Sequence, residues 1–338
     1  MSKGYNVAVV GATGAVGEEM LRILEERSFS VGNLRVIASE RSEGRVLRFC
    51  GENLKVERLS SASFRGVEIA LFSAGAQISK EFSPQAVKKG SVVVDNSSAF
   101  RMESGVPLVV PEVNPDALEN HQGIIANPNC STIQLVVAIN PLHQITRIKR
   151  LIISTYQAVS GTGREAMEEL KDQIQQWLKG EEIKKEVYPH QIAFNLIPHI
   201  GQFLPNGYTE EELKLANETK KIMEDDRMAV TATCVRVPVF IGHSEAVTVE
   251  MGKELSVPQV KRILSRAPGV ILQDNIDDHL YPLPLEAAEK DEVFVGRIRK
   301  DKSIKNGINL WIVADNLRKG AALNAIQIAE LLIKENLL

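Results

Sequence analysis

The sequence predicts an α/β protein: a doubly wound, Rossmann-like parallel sheet, then a second α+β domain. Three observations carry this. A buried strand, a glycine-rich turn and a helix follow one another at the N-terminal end. Strands and helices then alternate as far as Asn96, the pattern of a parallel sheet. Beyond Cys130 strands follow one another through short turns, which predicts a mixed or antiparallel sheet with helices on one face. At 338 residues the chain is long for one core, so two domains are expected. Their expected bounds are 1–129 with 316–338, and 130–315.

Composition narrows the classes. Apolar content of 44% and charged content of 25% are ordinary for a globular protein. A net charge of −3 shows no sign of a nucleic-acid surface. No apolar run approaches the roughly 18 residues of a membrane span. The start runs straight into a strand, so no signal peptide is expected. Cys50, Cys130 and Cys234 are widely separated, which fits neither a disulfide framework nor a metal site. A reducing, cytoplasmic setting is the expectation.

The elements follow in order. Tyr5 to Val10 reads as a strand, Gly11-Ala12-Thr13-Gly14-Ala15-Val16-Gly17 as the turn, and Glu18 to Arg27 as a helix. The glycines let a pyrophosphate approach the backbone, and the helix start receives its charge. The spacing GxxGxxG goes with NADP. Leu34 to Ser39 is the second strand. Ser39, Arg41 and Ser42 stand where the adenosine ribose is expected, and an arginine with hydroxyls suits a 2′-phosphate. Glu40 pulls the other way, since an acid here can bond the 2′-OH of NAD. Further strands are expected at Val67–Ser73 and Ser91–Asn96, with a helix near Ser79 to Lys89. Arg101 follows in a polar loop, either solvated or facing an anion.

Asn127-Pro128-Asn129-Cys130-Ser131-Thr132 comes next, ahead of an amphipathic helical run from Ile133 to Ile139. Asn129 or Ser131 is the expected N-cap. A thiol at a helix start meets free N–H groups and the positive dipole end, which favour the thiolate. The competing reading is a buried, inert cysteine. Lys149 to Tyr156 is a long strand, ending in Gln157-Ala158-Val159-Ser160-Gly161, and Arg164 to Lys179 a long helix. Thr209 is expected to cap a helix carrying Glu211, Lys214, Glu218 and Lys221, which read at first as solvated pairs. Thr231–Val239 and Glu245–Met251 are strands with His243 in the turn between them. His243 is the best placed of six histidines for proton transfer. A helix at Val257–Arg266, strands at Val293–Arg299 and Gly307–Ala314, and a last helix at Arg318–Glu335 complete the chain. That helix is expected to pack on the first domain through Ala321, Ala325, Ile328, Ala329 and Leu332.

A nucleotide site followed by a candidate thiolate suggests aldehyde oxidation through a thioester. GATGAVG, NPNCST, TYQAVSGTGREAM, EELK and RVPVFIGHSE, in this order, resemble the aspartate-semialdehyde dehydrogenase family of bacteria, from residue 5 to the last helix. The resemblance implies a second domain like that of glyceraldehyde-3-phosphate dehydrogenase, serving catalysis and dimerisation. It implies Cys130 as nucleophile, Gln157 as a group that holds the thioester, and His243 as acid/base. Arg236 would bind the substrate carboxylate, Glu211 its amino group, and Lys214 and Arg101 phosphate. Gly11, Thr13, Gly14, Ala15, Val16, Gly17, Ser39, Arg41, Ser42, Ser160, Gly161 and Asn316 would contact NADP. Glu218 and Lys221 repeat the Glu211/Lys214 spacing, and EELK favours the first pair.

The implied reaction is NADPH-dependent reductive dephosphorylation of 4-phospho-L-aspartate to L-aspartate 4-semialdehyde, leading to lysine through diaminopimelate, methionine and threonine. The implied assembly is a homodimer, without a metal. The alternatives are a related enzyme such as N-acetyl-glutamyl-phosphate reductase, or a non-catalytic NADP sensor with a structural cysteine.

Overall fold

The computed structural model describes residues 4–338. The chain divides into two compact units: one reaches Asn129 and resumes at Ala321–Leu338, the other is Cys130–Gly320. The second crossing falls at 321 rather than 316. Asp315 and Asn316 stay in the second unit because their side chains are spent there. Asp315 accepts the backbone N–H groups of Leu317 and Arg318, and Asn316 accepts that of Gly242.

The first unit is a six-stranded sheet, paired parallel throughout. Its elements are β1 (Tyr5–Val10), α1 (Ala15–Glu26), β2 (Val31–Ala38), the hairpin β3 (Val46–Phe49) and β4 (Glu52–Lys55), β5 (Glu57–Arg58), β6 (Ile69–Phe72), α2 (Ala76–Val87), β7 (Val92–Asp95) and β8 (Ile124–Ala126). The strand order is β5-β2-β1-β6-β7-β8. Chain order reverses between β1 and β6, the switch point where an open α/β sheet binds ligands. The central strands are apolar on both faces, as burial under two helical layers demands. The β3–β4 hairpin had no clear signal, because its strands are short and half exposed.

The second unit opens with α3 (Cys130–Thr146) and β9 (Ile148–Gln157). Then come α4 (Arg164–Lys179), α5 (Glu210–Ile222), β10 (Ala229–Arg236), β11 (His243–Met251), α6 (Val257–Leu264), β12 (Val270–Leu272), α7 (Pro284–Ala287), β13 (Val293–Asp301) and β14 (Gly307–Ala314). Its sheet is mixed, in the order β10-β9-β11-β14-β13-β12. The outer pairs β10/β9 and β12/β13 are parallel and the inner ones antiparallel. The helix α3 lies against β9, β11, β13 and β14 and also meets α5 and α6. Every residue from Ser131 to Ile139 is therefore buried. The amphipathic reading of that run is corrected: a helix covered by a sheet and two helices has no solvent-facing side there.

The last helix, α8 (Leu323–Lys334), follows a single π-turn at Arg318–Ala322. It belongs to the first unit, where Ala325, Ile328, Ala329 and Leu332 join the core that α1 also faces. Its start at 323 rather than 318 reflects the π-turn, which sequence periodicity does not register.

Candidate active site

In the first unit the glycine turn leads from β1 into α1. Its closeness is steric: a methyl group at Gly17 would stand 2.2 Å from the Gly11 carbonyl oxygen. The N-caps of α1 and α2 are Gly14 and Gly75, and neither helix start receives a side-chain cap. Two sets of first-turn N–H groups are thus left at the carboxyl ends of β1 and β6, which fits an anionic nucleotide. The Thr13 hydroxyl donates to the Ser42 hydroxyl over 3.2 Å, tying the turn to the segment after β2. Glu40 is drawn aside: its carboxylate pairs with Arg58 at 2.9 Å. Ser39 stands at the N-cap position of the short helical turn that contains Arg41, without a side-chain cap bond, and Arg41 is exposed. Ala15 and Val16 form the first turn of α1.

Arg101 is buried in the same unit. Its Nε donates to the Asn127 carbonyl at 2.9 Å and its Nη2 to that of Asn96 at 2.8 Å. It also bears on Asp95, whose carboxyl burial raises and whose serine partners Ser79 and Ser97 partly lower. Two backbone carbonyls so fix the guanidinium plane. The solvated reading of this residue is set aside by its burial.

In the second unit the polar groups stand on strands. The helix α3 begins at Cys130 itself, which places Asn129 at the cap position and Ser131 inside the helix. The Ser131 alternative for the cap is thereby excluded. Cys130 is half-buried, and a methyl group at Gly320 would stand 2.9 Å from its Cβ. The two other thiols contrast with it. Cys50 is exposed, whereas Cys234 is buried, and burial and nearby carboxylates push its thiol well up.

Gln157 and Arg236 end the paired strands β9 and β10, in register with each other. His243 begins β11, opposite Ala314, and is fully buried. It is a strand residue, not a turn residue as its Gly-Ser neighbours suggested, because pairing with β14 extends that far. The backbone of Ala158 orients two of these side chains. Its carbonyl accepts from Arg236 Nη1 at 2.7 Å and its N–H donates to His243 Nδ1 at 3.1 Å. In the neutral ring Nδ1 is then the acceptor and Nε2 carries the proton. Burial, with help from Arg236, holds this imidazole well below the ordinary histidine range, so it is neutral near pH 7.

Gly161 packs against both: a methyl group there would meet Arg236 Nη1 at 2.9 Å and His243 Nε2 at 3.1 Å. Ser160 and Asn316 are joined, Nδ2 donating to Oγ at 2.9 Å, while Asn316 Oδ1 accepts from Gly242 N–H. This pair therefore braces the residue before His243.

The Glu211 carboxylate is buried and accepts from Gln157 Nε2 at 3.4 Å, with Lys214 Nζ at 3.5 Å. The solvated reading of Glu211 is corrected, because α5 packs against β10 on this side. Glu218 is also buried, yet it is Glu211 that meets Gln157. Thr209 caps α5 in a reciprocal box with Glu212.

Sequence reasoning missed Ala158, Gly320 and Tyr188. The Tyr188 hydroxyl donates to Thr162 at 2.9 Å, and its loop is fixed by backbone N–H groups of Glu186, Val187 and Tyr188 donating to Glu169 of α4. Burial pushes that phenol up, and the Arg236 guanidinium partly offsets the rise. A backbone contact and a loop clamp leave no sequence signature.

One unit offers backbone donors to a nucleotide and the other a half-buried thiol and oriented polar side chains, equipment that suits a nucleotide-dependent oxidoreductase. Comparison with known proteins is specific. Residues 6–121 match the semialdehyde dehydrogenase NAD binding domain, and residues 139–319 the semialdehyde dehydrogenase dimerisation domain. The aspartate-semialdehyde dehydrogenase of Aquifex aeolicus is 56% identical, over 99% of this chain and 100% of that one. The structure of aspartate semialdehyde dehydrogenase II from Vibrio cholerae complexed with ASA has a TM-score of 0.96 at 49% identity, covering 98% of this chain and 99% of that one. The enzyme from Candida albicans with NADP has a TM-score of 0.76 at 26% identity, covering 99% and 100%. The chain belongs to the aspartate-semialdehyde dehydrogenase family.

Proposed function

We propose that the chain catalyses NADPH-dependent reductive dephosphorylation of 4-phospho-L-aspartate to L-aspartate 4-semialdehyde and phosphate, and the reverse phosphorylating oxidation. The observation that carries the reading most is the charge pattern around Gln157. A buried carboxylate, Glu211, and a buried guanidinium, Arg236, flank it on adjoining elements. A zwitterionic amino acid needs one of each.

Cys130 attacks the acyl carbon, and the C–O bond to phosphate breaks as the thioester forms. N–H groups of the first turn of α3 favour the thiolate and the developing oxyanion. Arg236 holds the α-carboxylate through a planar fork, and Glu211 the α-amino group. Lys214 and Arg101 neutralise phosphate, and Gln157 holds the acyl group. When bound, NADPH supplies the hydride that reduces the thioester. Thr13 to Val16, Arg41, Ser42, Ser160, Gly161 and Asn316 are read as its contacts, with Gly11, Gly14, Gly17 and Ser39 shaping its turn. His243 presents Nε2–H as a donor to the oxygen where charge builds. Service as a base requires the other tautomer, hence release of the Ala158 N–H. The C–S bond then breaks and frees the aldehyde.

Residues 139–319 match a dimerisation domain, and we read the enzyme as a homodimer. Among the described residues no helix is long and apolar enough to cross a membrane. Three free thiols support a cytoplasmic setting. A steady-state assay with aspartate semialdehyde and phosphate, with NADP and NAD in turn, tests the reading. Turnover preferring NADP is expected. Turnover confined to N-acetyl-glutamate semialdehyde overturns it, since an acylated amine has no use for Glu211.

A further inference from the structure

Two residues past His243, on the same face of β11, lies a second ionisable group that the chemistry above does not use. Glu245 is fully buried, and its carboxyl has no polar partner but the Gln134 amide that faces it. Its polar neighbour is Gln134 of α3, whose amide is equally buried and equally short of partners. Four such atoms in a core are costly, so packing alone does not account for them.

Their places in the fold do. Cys130 and Gln134 are four residues apart on α3, hence on one helical face with a rise of about 6 Å. His243 and Glu245 are two apart on β11, hence on one sheet face and about 6.8 Å apart. The helix packs along that strand. Gln134 meets Glu245, so this pair lies one step of similar length along α3 from Cys130 and along β11 from His243. In register beside Glu245 on β9 is Thr155, whose Oγ1 accepts from Gln157 Nε2 at 3.3 Å.

We propose that Glu245 is a positioning residue of this reaction: through Gln134 it fixes the first turns of α3, and so Cys130, in register with the strand that carries His243. The proposal rests on Cys130 as nucleophile. The surroundings disfavour the ionised carboxylate. Gln134 faces it from α3, Thr155 from β9 and Ile312 from β14, with Cys234 one strand further on β10 and His243 above it. The imidazole is held neutral and the Cys234 thiol protonated. None of these is a cation, and burial pushes the carboxyl well above its ordinary range. Neutrality also suits the chemistry, because an anion here would raise the proton affinity of a thiolate one step along α3.

The test compares Glu245→Gln, Glu245→Leu and Gln134→Leu in the full-length enzyme. Readouts are kcat and KM for aspartate semialdehyde, and the pH dependence of alkylation followed on the Cys130 peptide. Glu245→Leu and Gln134→Leu should each lower kcat about 10- to 100-fold, the scale of a misplaced reacting group, with little change in KM. Both should move the pH midpoint of alkylation. Glu245→Gln keeps shape and neutrality, and should stay within about threefold of the parent by the same argument. Unchanged kcat and midpoint in either leucine variant overturns the proposal, as does a glutamine variant as impaired as the leucine one. Should Glu245→Leu not fold, Gln134→Leu and Glu245→Gln still decide. A Cys130→Ser enzyme that turns over sinks the nucleophile assignment. An inactive Cys130→Ser enzyme with an unaffected leucine variant sinks only the role of Glu245.

Discussion

The two sheets present polar groups in opposite ways. In the parallel sheet they lie beyond the strand ends, largely as backbone N–H groups at the uncapped starts of α1 and α2. In the mixed sheet they are side chains on the strands themselves, and Gln157, Arg236 and His243 share one level across β9, β10 and β11. A cofactor that arrives and leaves is served by dipoles that need no rotamer fixed. A reacting carbon needs donors held to a fraction of an ångström, which strands provide. Substitutions of the strand-borne side chains should therefore cost turnover or substrate affinity, and those in the glycine turn should cost cofactor affinity.

Cys130→Ser is the sharpest test of that contrast. Turnover should fall by roughly 10⁴-fold or more, while NADPH binding, read by fluorescence titration, stays. Loss of both together would break the division between the units. Arg236→Lys comes next. A lysine cannot reproduce a planar fork whose Nη1 is already engaged by the Ala158 carbonyl. The KM for aspartate semialdehyde should rise about 100-fold, the scale of a lost charge-assisted pair, and an unchanged KM would remove Arg236 from the carboxylate site.

The two crowded glycines give a matched pair. Gly161→Ala would press on Arg236 and His243, and kcat should fall about tenfold through their displacement. Gly17→Ala meets the Gly11 carbonyl instead, so the KM for NADPH should rise and kcat hold. An interchange of those effects would reverse the assignments. The smallest effect is expected at Arg58. Its pair with Glu40 is exposed on both sides, so Arg58→Ala should lower the NADP-to-NAD preference only about two- to fivefold, in line with the modest worth of such pairs. No change in the ratio of kcat/KM values would mean that Glu40 does not reach the ribose.

The elements read from sequence were those with strong periodicity. The strand Tyr5–Val10, the helix Arg164–Lys179 and the strand Gly307–Ala314 stand where the pattern put them, while the first helix runs Ala15–Glu26 against an expected Glu18–Arg27. The burial of α3 on all sides is not legible in sequence, because a short apolar run looks alike whether one face or every face is covered. The burial of His243 was hidden for a similar reason, since Gly-Ser neighbours suggest a turn until strand pairing overrules them.

The sequence by itself determined the fold class, the nucleotide turn and the family, because these rest on local order: strand after helix, glycine at fixed steps, motifs in sequence. It also brought forward Cys130, Gln157, Arg236 and His243 as candidates. Only the tertiary structure decided which glutamate meets Gln157, which ring nitrogen of His243 carries the proton, and that Glu245 lies one level below His243. Those facts depend on the register of β9, β10 and β11 and on the backbone of Ala158. The Ala158–His243 contact alone joins residues 85 positions apart, a distance over which local pattern carries no information.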